Sequence, residues 1–172
     1  MTRLIATFLY VGLLRPAPGT WGSLAALPVG LLLMVLGGPV LLIVVTVALF
    51  AIGWWATGVE TRASGIEDPG EIVVDEVVGQ WIALWPLAIG AANVGASYTA
   101  LWPGWIAAFA LFRFFDIKKW GPVGWADRRG DPLGVMLDDV IAGVFAAIGV
   151  VLFAGLYHRV LLRSAMTRNC LI

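Results

Sequence analysis

The sequence predicts an all-α integral membrane protein, a compact bundle of four to five transmembrane helices with charged cytoplasmic loops. Of 172 residues, 60% are hydrophobic and only 13% charged, against about a quarter charged in a soluble domain. Mean hydropathy is +0.92, and apolar runs recur near the roughly 20 residues that a spanning helix needs. Every acidic residue falls between Glu60 and Asp139, in two linkers and the helix ends beside them.

The opening "MTRLIATFLYVGLLRPAPGTWGS" has a short apolar run after Arg3, as a signal peptide does. "RPAPGTWGS" makes a poor A-x-A cleavage site, so the segment is expected to stay with the chain. Ser23 to Gly38 is a short first span interrupted by Pro28. Val40 to Gly58, Val77 to Gly95, Thr99 to Phe115 and Val140 to Tyr157 are clearer spans. Tryptophans 54, 55, 81, 102 and 105 stand near the ends of these runs, where interfacial aromatics belong.

No repeat interrupts this order, and 1–172 reads as a single membrane-embedded domain. Linkers Gly37 to Pro39 and Ala96 to Tyr98 carry no charge, whereas Val59 to Glu76 and Asp116 to Asp139 carry nearly all of it. With five spans, the N-terminus and both charged linkers share one face. That face holds Arg3, Arg15, Arg62, Arg113, Lys118, Lys119, Arg128 and Arg129, so the positive-inside rule assigns it to the cytoplasm. The tail, with Arg159, Arg163 and Arg168, then lies outside; a re-entrant first segment would return it to the cytoplasm.

Composition also excludes function classes. A formal net charge of zero with no continuous basic face argues against nucleic acid as a partner. The lone Cys170 cannot support an internal disulfide and lacks the C-x-x-x-x-x-R context of cysteine phosphatases. His158 is the single histidine, which excludes a phosphatase that needs two. Neither D-x-D-x-T/V nor D-G-x-x-A-R occurs. Metal-assisted chemistry remains.

Two adjacent acidic pairs at helix mouths carry that chemistry. In "EDPGEIVVDEVVGQW", Asp68, Pro69 and Glu71 read as an N-cap, a first-turn proline and the far half of a capping box. A helix starting there sets Glu71, Asp75 and Gly79 on one face, with Glu76 above Gln80. Capping accounts for Asp68 and Glu71. It leaves Asp75 and Glu76 about two turns inside, at the membrane boundary, where an unpaired carboxylate costs about 2.5 to 3.5 kcal/mol.

Asp138 and Asp139 open the last span, with Gly143 one turn below. The helix dipole offers each about 0.3 to 1 kcal/mol. Their mutual repulsion would be relieved by a divalent cation, and hard oxygen ligands select Mg²⁺, Mn²⁺ or Ca²⁺ over zinc. Between the pairs, Arg113, Asp116 and Lys119 follow at three-residue spacing. Arg113 and Asp116 suit an intrahelical ion pair or a phosphate contact, and Lys119 beside carboxylates suits a phosphate ligand. "PAPGTWGSL" places Thr20 and Ser23 at a helix start whose free N–H groups suit phosphate oxygens, although a turn with a serine N-cap explains it nearly as well.

"PGTWGSLAALP", "IVVDEVVGQW", "FRFFDIKKWGPVGWADRR" and "GVMLDDVIAG", in this order and spacing, resemble the phosphatidylglycerophosphatase A family from about Leu13 to Gly155. The resemblance implies a Mg²⁺-dependent inner-membrane enzyme that removes the terminal phosphate of phosphatidylglycerophosphate to give phosphatidylglycerol. It implies a site of Asp75, Glu76, Asp116, Lys119, Asp127, Asp138 and Asp139; Arg128 and Glu71 are further candidates beside it. Where the family usually has K-P-x-P, this chain reads Lys119-Trp120-Gly121-Pro122, and from His158 onward no block matches.

The expected metal ligands are Asp75, Glu76, Asp116, Asp138 and Asp139. Lys119, Arg113, Thr20 and Ser23 face the phosphate, and Asp139 or Glu76 takes the proton of the attacking water. Two other classes compete. A carboxylate-based ion- or proton-coupled transporter would place its acids near midplane, and a structural subunit would use small-residue stripes such as "AGVFAAIG" without paired aspartates.

Overall fold

A computed structural model describes residues 1–67 and 69–169, with side chains as far as Tyr157. Every regular element among them is helical: α1 (Thr2–Ala6), α2 (Pro18–Ser64), α3 (Val74–Val94), α4 (Trp102–Lys118), α5 (Pro122–Asp127) and α6 (Pro132–Asn169). Short 3-10 turns at Val11–Leu13 and Tyr98–Leu101 join them. Four helical stretches are long and apolar enough to cross a membrane: Pro18–Ser64, Val74–Val94, Tyr98–Lys118 and Pro132–Tyr157.

As one rod, the 47 residues of α2 would extend about 70 Å at 1.5 Å per residue, more than twice the roughly 30 Å hydrocarbon core. The helix is broken at Gly37 (φ −149°, ψ 17°) and Gly38 (φ 65°, ψ −161°), the latter a conformation open essentially only to glycine. Pro39 follows, unable to donate a backbone hydrogen bond across the break. The first arm (18–36) runs along α3 from Gly22 at Val73 to Gly30 at Leu84, and Gly38 then stands beside Tyr98. The second arm (39–64) returns, with Thr46 at Trp85 and Gly53 at Val74 and Met136. The first arm thus passes through Pro28 without interruption, contrary to expectation, and turns at the glycines. A proline inside a spanning helix is tolerated where neighbouring helices re-satisfy the freed carbonyl.

α3 is the centre of the bundle, packed by both arms of α2 and by α4 and α6. Its core includes Val77, Trp81, Leu84 and Leu87. Trp81, expected at the interface, is 2% exposed and donates its indole N–H to the Ala26 carbonyl at 2.8 Å. A buried indole needs such a partner. Trp54, Trp55 and Trp102 are exposed, and Trp105 is half-buried with its N–H on the Tyr98 carbonyl.

This path brings α1, the start of α2, the mouths of α3 and α6, the end of α4 and α5 to one end of the bundle. Both charged linkers lie there. The tail arginines, His158 and Cys170 fall outside the residues whose side chains are described.

Candidate functional site

Both helix starts differ from the sequence reading, in opposite directions. α3 begins at Val74, not near Asp68, so Asp75 and Glu76 occupy its first turn. The cause is tertiary: Val73 donates its N–H to the Ala6 carbonyl of α1 at 2.9 Å and, with φ −140° and ψ 8°, is held outside the helical conformation. Pro69 to Ile72 forms a separate turn, and Asp68 itself lies outside the described residues. Conversely, α6 begins at Pro132, so Asp138 and Asp139 stand nearly two turns inside it rather than opening it. Asp131 caps that helix by accepting the Gly134 N–H at 2.6 Å. Asp131-Pro132 is a cap-and-first-turn-proline signal of the kind used at the other mouth.

The two mouths meet because glycines remove the side chains between them. A methyl group at Gly143 would strike the backbone of Gly79, and one at Gly79 would strike Phe112 and the Asp139 carbonyl. α3 and α6 therefore cross in backbone contact just below the acidic pairs. Asp75, Glu76 and Asp139 each offer a carboxylate oxygen within 4.8 Å of the others. Asp75 and Asp139 are buried, 6% and 3% exposed, and Glu76 is half-buried.

Glu76 Oε2 and Asp139 Oδ1 are buried and accept no hydrogen bond. Asp75 Oδ1 accepts the Glu76 N–H, and Asp138 Oδ1 the Asp139 N–H, each at 3.0 Å. Three carboxylates this close repel one another, and partnerless buried oxygens cost full desolvation. An all-oxygen donor set of this kind fits a hard divalent cation. Asp75, Glu76 and Asp139 could hold a metal ion.

Around this cluster lies a cavity of about 170 Å³ lined by Asp116, Lys119, Asp127 and Asp138 as well as the three carboxylates. Lys119 ends α4 in a left-handed conformation (φ 47°) that turns the chain toward α5. Its ammonium donates to Asp127 and, at 2.8 Å, to Asp138. Burial opposes that positive charge, but the hydrogen bonds and charges of Asp127 and Asp138 outweigh it and hold the Lys119 pKa above its usual value. Asp138 is thus engaged by a cation, as Asp116 is by Arg113, unlike Asp75, Glu76 and Asp139, with which both were grouped as ligands.

Arg113 forms the expected intrahelical ion pair with Asp116. It also reaches Ser23 Oγ at 3.5 Å, and Ser23 donates to the Gly19 carbonyl at 2.8 Å. A methyl group at Gly19 would collide with the Glu76 carboxylate and crowd Arg113. The "GTWGS" stretch therefore does border the cluster, through Gly19 and Ser23. Thr20 is half-buried on the same turn and does not line the cavity.

Two outlying candidates lie apart. Glu71 precedes α3 and pairs with Arg3 at 3.0 Å. Arg128 is exposed after α5, against Gly124. Conversely, Glu67 lines the cavity and Gln80 is fully buried one turn below Glu76, though neither figured among the expected site residues. Gln80 carried a signal: a polar side chain in an otherwise apolar span is expensive and marks function by default. A larger, apolar cavity, lined by Leu87, Trp102 and Val151 among others, has no carboxylate or basic group among its described lining residues.

Fold and site together define a membrane protein that gathers a metal-capable carboxylate cluster with a lysine and an arginine at one end of a helical bundle. The chain belongs to the phosphatidylglycerophosphatase A family, whose model matches residues 4–154. It is 39% identical over 148 residues to phosphatidylglycerophosphatase A of Haemophilus influenzae, covering 86% of this chain and 85% of that one. It is 36% identical over 154 residues to the Escherichia coli protein of the same name, covering 88% and 82%. A Bacteroides thetaiotaomicron protein provisionally named phosphatidylinositol-3-phosphatase is 40% identical over 149 residues, covering 84% and 88%. No solved structure matches the chain.

Proposed function

We propose that this chain hydrolyses the terminal phosphate monoester of phosphatidylglycerophosphate, giving phosphatidylglycerol and inorganic phosphate, in a Mg²⁺-dependent reaction at the cytoplasmic face of a bacterial inner membrane. The observation that carries the reading is the cluster of Asp75, Glu76 and Asp139, with its partnerless buried oxygens, beside Lys119 and Arg113 at one end of the bundle. That depth suits a substrate whose acyl chains stay in the leaflet and whose phosphate is reached only at the headgroups. A transporter would need its carboxylates near midplane.

Asp75, Glu76 and Asp139 would hold the cation. Bound there, Mg²⁺ would neutralise charge on the phosphoryl oxygens and make water a better nucleophile. The chain's own residues do the rest. An ammonium has three N–H groups; Lys119 spends two on Asp127 and Asp138, leaving one for an equatorial phosphate oxygen. Arg113, braced by Asp116 and Ser23, supplies a second cation from the first-arm side. A loose phosphoryl-transfer transition state is stabilised chiefly by such positioning and charge. A carboxylate oxygen of Glu76 or Asp139 that the cation leaves uncoordinated would accept the water proton.

The test is phosphate release by purified protein from phosphatidylglycerophosphate and, separately, from phosphatidylinositol 3-phosphate, in detergent with Mg²⁺ or with EDTA. Release from the first lipid should require metal and fall about 10²-fold or more in Asp75→Asn and Asp138→Asn, as when a group acting on transition-state charge is removed. Release from only the second lipid would transfer the headgroup assignment to the Bacteroides relative's named substrate. No release from either under any divalent ion would overturn the phosphatase reading.

A further inference from the structure

Gln80 is fully buried in α3, and neither its Oε1 nor its Nε2 has a hydrogen-bond partner. Leaving both ends of a carboxamide unpaired costs about 1 to 3 kcal/mol per group, so a core position with no further role would be expected to carry an apolar residue. Gln80 lies four residues after Glu76 and therefore on the same helix face, one turn deeper. That face looks toward the first arm of α2 and toward α4: Glu76 and Arg113 both border Gly19, Leu84 meets Gly30, and Leu87 meets Gly104.

Two more partnerless buried atoms border this seam, the Glu76 Oε2 acceptor and the Arg113 Nε–H donor. The four atoms are complementary. Gln80 Oε1 can accept from Arg113 Nε, and Gln80 Nε2 can donate to Glu76 Oε2, which would leave none of them orphaned.

We propose that Gln80 is a positioning residue. In the cation-loaded protein its carboxamide links Arg113 to Glu76, fixing the Glu76 carboxylate as a metal ligand and coupling it to the guanidinium that faces the phosphate. The inference rests on the metal-site reading above. Partners of this kind orient metal ligands in many proteins, and their loss typically weakens metal affinity about 10- to 100-fold.

Glutamine occurs once in the chain, so ¹⁵N-glutamine labelling yields a single side-chain carboxamide signal. In the full chain in detergent micelles, Mg²⁺ should shift both Gln80 NH₂ protons and slow their exchange with water. Mn²⁺ affinity, measured by electron paramagnetic resonance, should fall about 10- to 100-fold in Gln80→Met. The metal-free melting temperature of that variant should hold or rise, because two orphaned groups have been removed.

A native chain that binds Mn²⁺, with Gln80→Met binding it equally well, would overturn the role of Gln80 while leaving the metal site intact. A carboxamide signal unmoved at saturating Mg²⁺ would do so without depending on the variant's folding. A native chain that binds no Mn²⁺ would remove the metal reading and the inference with it.

Discussion

Gly143→Ala should disable the site without touching a single functional side chain. The new methyl carbon would lie 3.0 Å from Gly79 Cα and 3.1 Å from its carbonyl carbon, with the Gly79 oxygen closer still. All three are backbone atoms, so no rotamer change relieves the clash. α3 and α6 must separate by about 1 Å, a displacement that can cost about 10²-fold in rate when it moves a catalytic group. Asp75 and Glu76 stand on one of these helices, Asp138 and Asp139 on the other, and a metal constellation tolerates only about 0.5 Å of error. Overpacking of this kind costs about 1 to 3 kcal/mol, so the variant should still fold. Gly90→Ala is the control, since a methyl group there meets nothing within 4 Å. The assay is kcat/KM for phosphate release, with melting temperature measured alongside. Gly143→Ala at native kcat/KM would refute the claim that this helix crossing sets the site.

Two further outcomes follow from where the structure places individual residues. Glu71→Ala should leave kcat/KM unchanged and stability within about 1 kcal/mol, because its pair with Arg3 is solvent-exposed; a large fall in phosphate release would restore Glu71 to the site. Lys119, with its pKa raised by Asp127 and Asp138 against the opposing effect of burial, should stay charged throughout the range below its ordinary value of about 10.4. Its contribution to stability is complete below that value and is lost only as pH rises through the higher folded value. A pH–rate profile with an alkaline limb below pH of about 10 that moves upward in Lys119→Arg would contradict this.

The sequence by itself determined the helical membrane architecture, because bilayer thickness demands long apolar runs and the cost of burying charge forces the acids to the span ends. It also singled out Asp75 and Glu76 as a pair that capping leaves unexplained, and the structure gathers both beside Asp139 while Glu71 pairs with Arg3 instead. Gly79 and Gly143 were legible as small residues one turn from the acids, yet only the crossing of α3 and α6 shows their backbones in contact. The start of α3 was decided by a tertiary contact, whereas that of α6 follows the local Asp131-Pro132 cap. The Ala6 carbonyl holds Val73 out of the helical conformation and so delays α3 to Val74, a contact between residues 67 positions apart that no local pattern encodes. Trp81 reads as an interfacial aromatic by its place in the sequence, but the first arm of α2 covers it and supplies a carbonyl for its N–H. Partnership was likewise beyond the sequence: five adjacent or near carboxylates looked alike there, and packing alone gave Lys119 to Asp138 and left Glu76 and Asp139 with unpaired oxygens. Residue type fixes what a group can bind, whereas its actual partner depends on which distant segment the fold brings within about 3 Å.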